Sequence, residues 1–278
     1  MKNVNLSHSV GKVIVYILLI AFAALLMVPF YWMVQSSLKL DHEVFTIPIQ
    51  WWPTNPVWRN YLDIWTRIPL LRFMGNTARL TLIVTSLQLL TSSFAAYAFS
   101  KLRFRGRNVL FLLYVGTIAV PWQAYMVPQF VMFRTMELVD THMAIIILQA
   151  FTAFGVFLLK QFYDTIPYEL NEAARIDGMS EYQIWQKIML PLSKPALATL
   201  TIFTFVATWN DFLGPRLYLI SQDLWTVQIG MRMFIGQFAS EFGLIMAIAT
   251  VSLVPILVVF LSLQRFFVQG IATTGLKG

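Results

Sequence analysis

The chain has 278 residues, of which 58% are apolar and only 12% charged, with a formal net charge of +7. Soluble domains carry about 25% charged residues, so a water-covered globule is excluded and the class is integral membrane protein. In a bilayer the excess of basic residues reports orientation, and no nucleic-acid partner is expected. With no cysteine in the chain, disulfides, thiolate metal centres and cysteine nucleophiles are excluded as well. His8, His42 and His142 lie far apart and show no metal-ligand spacing, so they read as ordinary loop histidines.

A membrane span needs about 20 apolar residues. The first is expected over about 13–34. This uncharged run is too long for a signal-peptide core, and Pro29-Phe30-Tyr31-Trp32 stands where a small-x-small cleavage site would be, so it is expected to be retained. The loop after it carries Trp51, Trp52, Trp58 and Trp65. These rings read either as one helix lying in the outer interface or as an aromatic belt.

The second span is expected over about 80–100. It leads into "KLRFRGRN", which holds Lys101, Arg103, Arg105 and Arg107 and no acid. Short basic loops stay in the cytoplasm. That rule puts this loop inside, together with the N-terminus (Lys2, Lys12) and the C-terminus (Arg265, Lys277). A third span is expected over about 108–133, where Pro121 and Pro128 bracket Trp122 and Gln123 and predict a bend. Trp122 and Gln123 are thereby candidate gate residues. The fourth is expected over about 143–163, and Asn76, Gln88, Gln123 and Gln149 are polar residues within or beside spans.

The segment 167–190 is the wettest in the chain, and parity places it on the cytoplasmic side. Pro167 suits a first helical position, and Glu169 and Glu172 suit a helix N-terminus. Leu170, Ala173 and Ala174 fall on one face by three-and-four spacing, and Gly178 can end the helix in the left-handed conformation. Ser180 and Gln183 form a capping box for a second helix, with Tyr182, Trp185, Ile188 and Met189 on one side and Leu190-Pro191 as its stop. An exposed Ala and Leu face beside acids reads as a knob for a partner's groove. The alternative, a helix lying on the membrane, is usually rich in Lys and Arg, whereas acids outnumber bases in the first half here.

The fifth span, about 195–220, is interrupted by Asp211 and Arg216, and the sixth covers about 242–265. A charge at mid-span costs roughly 2.5–3.5 kcal/mol, so Asp211 is expected to face protein or water, or to lie near a membrane face. With Trp209 and Asn210 it forms an aromatic and polar cluster. Such a cluster suits a sugar, or else acts as a structural hydrogen-bond knot or gate.

Glu172-Ala173-Ala174, Asp177-Gly178, Ile188 and Leu190-Pro191 resemble the EAA signature of permeases driven by ABC ATPases. "SSLK" at 36–39, "AAYAFSKLRFRGRN", "VPWQAYMVPQF", "TWNDFLGP" and "QRFFVQGIATTGLKG" are similar to the carbohydrate branch, most of all to its six-span, maltose-type member. The resemblance covers nearly the whole chain. It implies an all-α, polytopic six-helix bundle of the ABC type I importer kind, forming a single permease domain over 1–278 in a bacterial cytoplasmic (inner) membrane. It also implies a second, homologous permease in a heterodimer, two copies of an ABC ATPase, and an extracytoplasmic sugar-binding protein. This chain would bind no cofactor, ATP and Mg2+ being held by the ATPases. The segment 167–190 would be the coupling pair, with Glu172, Ala173, Ala174, Asp177, Gly178 and Tyr182 meeting the ATPase.

Two rivals stand beside this reading. No paired-acid motif supports an intramembrane lipid-modifying enzyme. "GIATTGLKG" at 270–278 fails as a phosphate-binding loop, because Leu276 separates Gly275 from Lys277. A self-contained secondary transporter of a small polar solute is the other rival. It would favour internal repeats and coupling-ion acids, neither of which is evident.

Overall fold

The structure is a computed structural model that describes residues 6–235 and 241–275, with side chains described over 11–235 and 241–266. Lys2, Lys277, Leu276, the His8 side chain and residues 236–240 lie outside the described residues. Every regular element among the described residues is helical. Four helices are long and apolar enough to cross a membrane: Gly11–Ser36, Leu70–Lys101, His142–Asp164 and Phe242–Phe266. A fifth crossing is available as a pair, Glu181–Leu192 and Lys194–Trp209, bent by 79°.

The chain divides into two units. The first comprises residues 1–69 and 231–252. It holds α1 (Leu6–Ser36), α2 (Asn60–Arg67) and the start of the last helix. Lys39 is 1% exposed, and its Nζ donates to the Gln50 carbonyl at 2.5 Å while sitting 5.1 Å from the Trp32 ring centroid. A buried ammonium needs such partners, because desolvation otherwise drives it neutral. Asp41 accepts from the Gly243 backbone N–H at 2.9 Å. Only Trp65 of the four loop tryptophans falls in a helix, the eight-residue α2, so the single interfacial helix is corrected. The cause is local: Pro53 and Pro56 interrupt the run, and a helix interior does not tolerate proline. All four rings are exposed, as the aromatic-belt alternative requires.

The second unit comprises residues 70–230 and 253–278. Its axis is α3 (Leu70–Lys101), a 32-residue helix that starts well before residue 80. After the arginine loop come α4 (Arg107–Gly116), two 3-10 turns (Thr117–Ala119 and Trp122–Ala124) and α5 (Met126–Thr135). The break falls at Val120-Pro121 because the residue before a proline is pushed out of the helical region; Val120 is extended at φ −91, ψ 109. Pro128 causes no break, since it sits in the first turn of α5, where backbone N–H groups have no helical acceptor.

Next come α6 (His142–Gln149) and α7 (Ala153–Asp164), then α8 (Glu169–Ile176) and α9 (Glu181–Ile184). α9 runs through a π-turn at Trp185–Met189 into α10 (Leu190–Leu192). α11 (Lys194–Trp209), α12 (Leu213–Tyr218), α13 (Val227–Met231) and α14 (Phe242–Gly275) complete the order. The widened π-turn lets Pro191 follow without meeting the carbonyl four residues back. The helical path therefore ends at Ser193 rather than at the expected stop, Leu190-Pro191.

α3 packs along α7 and α11. One core cluster joins Ala96, Tyr97, Leu159, Tyr163, Met189 and Leu200; a second joins Leu80, Phe133, Ile145, Tyr218 and Ile229. Without water to drive association, helices in lipid depend on close packing of small residues. Gly155 in α7 meets that need, because a Cβ there would lie 2.5 Å from Ser92 Oγ in α3. Gly155→Val is expected to lower stability by about 1–3 kcal/mol, as overpacking does, measured by thermal unfolding of the purified chain. Unchanged unfolding would show that the contact is not tight.

Asp140 ties two connecting loops together. It takes a φ of 63, which short acidic side chains tolerate. Its carboxylate accepts from the Ile220 and Ser221 N–H groups, both at 2.8 Å. The Ser221 hydroxyl above all, and the Ser221 N–H, hold the carboxyl below its ordinary titration range.

Candidate functional site

The first candidate is the two-helix elbow over α8 and α9. Tyr168 is the N-cap, so Pro167 stands before the helix rather than in its first turn. Glu169 and Glu172 occupy that turn, where negative charge complements the unpaired N–H groups. α8 ends at Asp177, and Gly178 takes φ +80. The Gly178 N–H donates to the Arg175 carbonyl and the Met179 N–H to the Ala174 carbonyl, both at 3.0 Å. These are the paired bonds of a Schellman ending. Ser180 and Gln183 then cap each other, with Ser180 N–H donating to Gln183 Oε1 at 2.9 Å and Gln183 N–H to Ser180 Oγ at 3.4 Å. The corner thus satisfies its own backbone and needs no outside partner to hold its shape.

Glu172, Ala173, Asp177 and Gly178 are exposed. Leu170 is 44% exposed, Ile176 86% and Tyr182 56%. Ala174 is only 4% exposed and packs with Tyr97, Tyr163, Ile184 and Trp185. It therefore leaves the outward face on which the sequence puts it. The reason is that Asn171 and Ala174, three apart, form the inward edge of α8. The expected shared face of α9 splits too: Trp185 and Met189 are buried, while Tyr182 faces outward.

Beneath the elbow lies a polar knot that sequence reasoning did not identify. Arg175 Nε donates to Glu181 Oε1 at 2.7 Å, and a second guanidinium nitrogen donates to Tyr168 Oη at 3.0 Å. Tyr97 Oη in α3 donates to Glu181 Oε2 at 2.5 Å, and buried Asn171 Nδ2 reaches Tyr97 Oη at 3.5 Å. The bonds to Glu181 first, and to Tyr168 second, raise the affinity of Arg175 for its proton. The ion pair is 31% and 45% exposed, so it contributes only about 0–1 kcal/mol to stability. Its effect is geometric: it spans the glycine corner and fixes the angle between α8 and α9. Arg175 and Glu181 are six positions apart and match no helical spacing, so no local sequence signal marks them.

The second candidate lies where two helices break. The path from α6 to α7 opens at Ala150, Phe151 and Thr152, and the path from α11 to α12 opens at Asn210, Asp211 and Phe212. Freed backbone carbonyls at membrane depth need partners. Gln88 Nε2 donates to the Gln149 carbonyl at 2.7 Å, and Thr91 Oγ1 donates to the Ala150 carbonyl at 2.9 Å. The two donors sit about one turn apart on α3, so a single helix face mends the break. Gln149 Nε2 donates to Asp211 Oδ2 at 2.7 Å, and the Gly214 N–H donates to Asp211 Oδ1 at 3.2 Å. Thr204 Oγ1 closes the network by donating to Gln88 Oε1 at 2.9 Å.

Two cavities, of about 480 and 380 Å³, share Gln88, Gln149, Thr152 and Asp211 in their walls. Trp122 and Gln123 line the smaller one, so the structure brings both candidate gate residues to Asp211. The expected cluster of Trp209, Asn210 and Asp211 does not hold together. Trp209 is 2% exposed and stacks on Phe205 at 5.6 Å. Asn210 is exposed, bonds back to the Val206 carbonyl at 3.0 Å and accepts from Gln228 at 3.2 Å. The helix ends after Trp209, so three consecutive residues point three ways. Asp211 itself is bonded to Gln149 and lines both cavities.

The chain is similar to known proteins over most of its length. Residues 88–273 match the family model described as binding-protein-dependent transport system inner membrane component. The chain is 35% identical over 220 residues to the arabinooligosaccharides transport system permease protein AraQ of Halalkalibacterium halodurans, covering 79% of each chain. It is 29% identical to the lactose transport system permease protein LacG of Rhizobium radiobacter, over 96% of this chain and 97% of that one. A chain in the crystal structure of a bacterial ABC transporter involved in the import of the acidic polysaccharide alginate superposes with TM-score 0.81 at 25% identity. That match covers 96% of this chain and 100% of the other. The chain belongs to the binding-protein-dependent transport system inner membrane component family, as a permease of the carbohydrate ABC importer kind.

Proposed function

We propose that this chain is one of two different permease subunits lining the pathway of an ATP-driven sugar importer, and that the elbow over α8 and α9 transmits the motion. The chain itself is non-catalytic in this reading: two copies of a separate ATPase bind ATP and Mg2+, and an extracytoplasmic binding protein supplies the carbohydrate. In this reading six crossings, with the broken stretch over α4 and α5 counted as one, bring both chain ends and the elbow to one side, and the basic loop between α3 and α4 on that side makes it the cytoplasmic one. The observation that carries the reading is the outward face of the elbow. Ile176, at 86% exposure, stands among Leu170, Ala173 and two acids on a corner that is rigid without help. An exposed aliphatic knob on a braced support suits a partner's groove. Closure of the ATPases would push this rigid corner, and through Tyr97 and Asn171 the push would reach α3. The network of Gln88, Gln149 and Asp211, beside Trp122 and Gln123, would act as the gate at the broken helices.

Because the chain has no native cysteine, Ile176→Cys provides a unique thiol. It is expected to cross-link to the ATPase in the assembled transporter and to change its yield between ATP-bound and nucleotide-free states. Labelling of this thiol only by lipid-soluble probes, with no cross-link in any state, would sink the docking reading. A second check addresses the secondary-transporter rival: the chain reconstituted alone is expected to show no uptake.

The angle of the elbow gives a further prediction. Arg175→Glu places two acids across the corner and is expected to cut coupled uptake about tenfold, while changing stability by about 1 kcal/mol or less. The exchange Arg175→Glu with Glu181→Arg is expected to restore most of it. Tyr97 and Tyr168 hydroxyls can donate or accept, so they serve either order. No recovery in the double exchange would mean that the clamp does not set the angle.

A further inference from the structure

We propose that the arginine loop between α3 and α4 holds the anionic headgroup of a phospholipid whose acyl chains run along the exposed side of α4. The loop carries four basic residues in seven positions and no acid. Lys101 is committed elsewhere: it is 4% exposed and donates to the Ile166 carbonyl at 2.7 Å. Arg103, Arg105 and Arg107 form no ion pair among the described residues. Arg103 lies over the Tyr168 ring at 5.0 Å, and Arg107 donates to the Leu102 carbonyl at 3.1 Å. The nearby carboxylate of Asp164 is already engaged by Lys160 at 2.6 Å and Ser100 at 2.7 Å. Asp164 and Glu169 act on Lys101, and the three arginines of the loop are left without an ion-pair partner among the described residues.

The same loop is concave. Arg103, Phe104, Gly106, Arg107, Asn108 and Val109 line a cavity of about 440 Å³. Gly106 takes φ +83, which turns the chain sharply between the two arginines of the wall. Past this cavity the surface becomes apolar: Val109, Leu110, Leu112 and Leu113 of α4 are each at least 52% exposed. A guanidinium-lined bowl that opens onto an aliphatic helix face matches a charged head joined to hydrocarbon tails. Guanidinium groups bind phosphate oxygens with charge-assisted, often paired hydrogen bonds. Basic pockets beside membrane helices recognise anionic headgroups on this principle. A zwitterionic headgroup brings its own cation into the bowl, so the site should discriminate by net charge.

The test uses the full chain in detergent, with lipid binding followed by native mass spectrometry. Phosphatidylglycerol is expected to bind at least tenfold more tightly than phosphatidylcholine with the same acyl chains. Each basic residue near an anionic surface is worth about fivefold in affinity. Arg103→Gln with Arg107→Gln, the two arginines of the wall, should therefore weaken phosphatidylglycerol about 25-fold and leave phosphatidylcholine unchanged. Arg107→Lys, which keeps the charge, should retain the preference. Arg103 lines the bowl and makes no hydrogen bond or ion pair among the described residues, so Arg103→Gln alone, expected to cost about fivefold, separates lipid binding from any folding defect. Equal affinity for the two lipids, or undiminished phosphatidylglycerol binding in the glutamine variants, would overturn the proposal. Displacement of the lipid by millimolar inorganic phosphate would overturn it too, by making the bowl a site for soluble anions. So would protection of α4 by the second permease, seen as loss of lipid binding on assembly.

Discussion

Ala173→Trp is expected to leave insertion and unfolding of the chain as they are and to abolish sugar-stimulated ATP hydrolysis in the assembled importer. Ala173 is exposed on the outer side of α8, beside Glu172 and one turn from Ile176 and Asp177. A substitution on such a surface changes stability by only about 0.5 kcal/mol. An indole there is a different matter for a partner, because it introduces about 150–250 Å² of aromatic surface where close approach is required. Interface centres lose 2 kcal/mol or more when their fit is spoiled, so coupling should fall on the order of 100-fold. Ala174→Trp is the control. Ala174 is 4% exposed and packs in the core of the second unit, so overpacking there should cost about 1–3 kcal/mol of stability. The measurement is ATPase activity of the reconstituted transporter with binding protein and sugar, beside thermal unfolding of the purified chain. A wild-type stimulated rate in Ala173→Trp would remove α8 from the docking contact.

Gly178→Pro should abolish coupled uptake by a different route. Gly178 sits at φ +80, and its N–H donates to the Arg175 carbonyl at 3.0 Å. Proline fixes φ near −65° and has no N–H, so neither condition of the corner survives; the local cost is about 3 kcal/mol or more. α8 and α9 would lose their mutual angle, and Arg175 would no longer reach Glu181. Gly178→Asn separates the geometry from mere change at this position. Asparagine visits the left-handed region, and no atom lies within 4 Å of a Cβ placed at Gly178. The asparagine variant is therefore expected to keep most uptake while the proline variant keeps none, both inserting normally by protease accessibility. Equal uptake in the two would show that the corner is dispensable.

The parts of the elbow legible from sequence are those whose partners lie within a few residues. The capping box needs only Ser180 and Gln183, three apart, and both of its bonds form. The left-handed ending needs only Gly178 and the last carbonyls of α8. The bend in the third apolar stretch needs only Pro121 and the residue before it. Where the deciding partner is distant, the residues gave less away. Tyr97 meets Glu181 across 84 positions, and Gln88 meets the Gln149 carbonyl across 61. Spacing rules for single helices do not reach that far. The grouping of Trp209, Asn210 and Asp211 failed for a related reason. Neighbours in sequence share a site only if the backbone keeps a regular path, and here it ends between them.

The sequence by itself determined the membrane class, through a charged fraction too low for a water-facing surface, and determined the elbow, through caps that act over one turn. Tertiary structure alone decided that Ala174 turns inward while Ala173 turns outward, and that Asp211 answers to Gln149 rather than to Trp209. Caps and hydropathy are properties of a short segment in its solvent. The direction of a side chain relative to the rest of the molecule is set by which distant helices close around it.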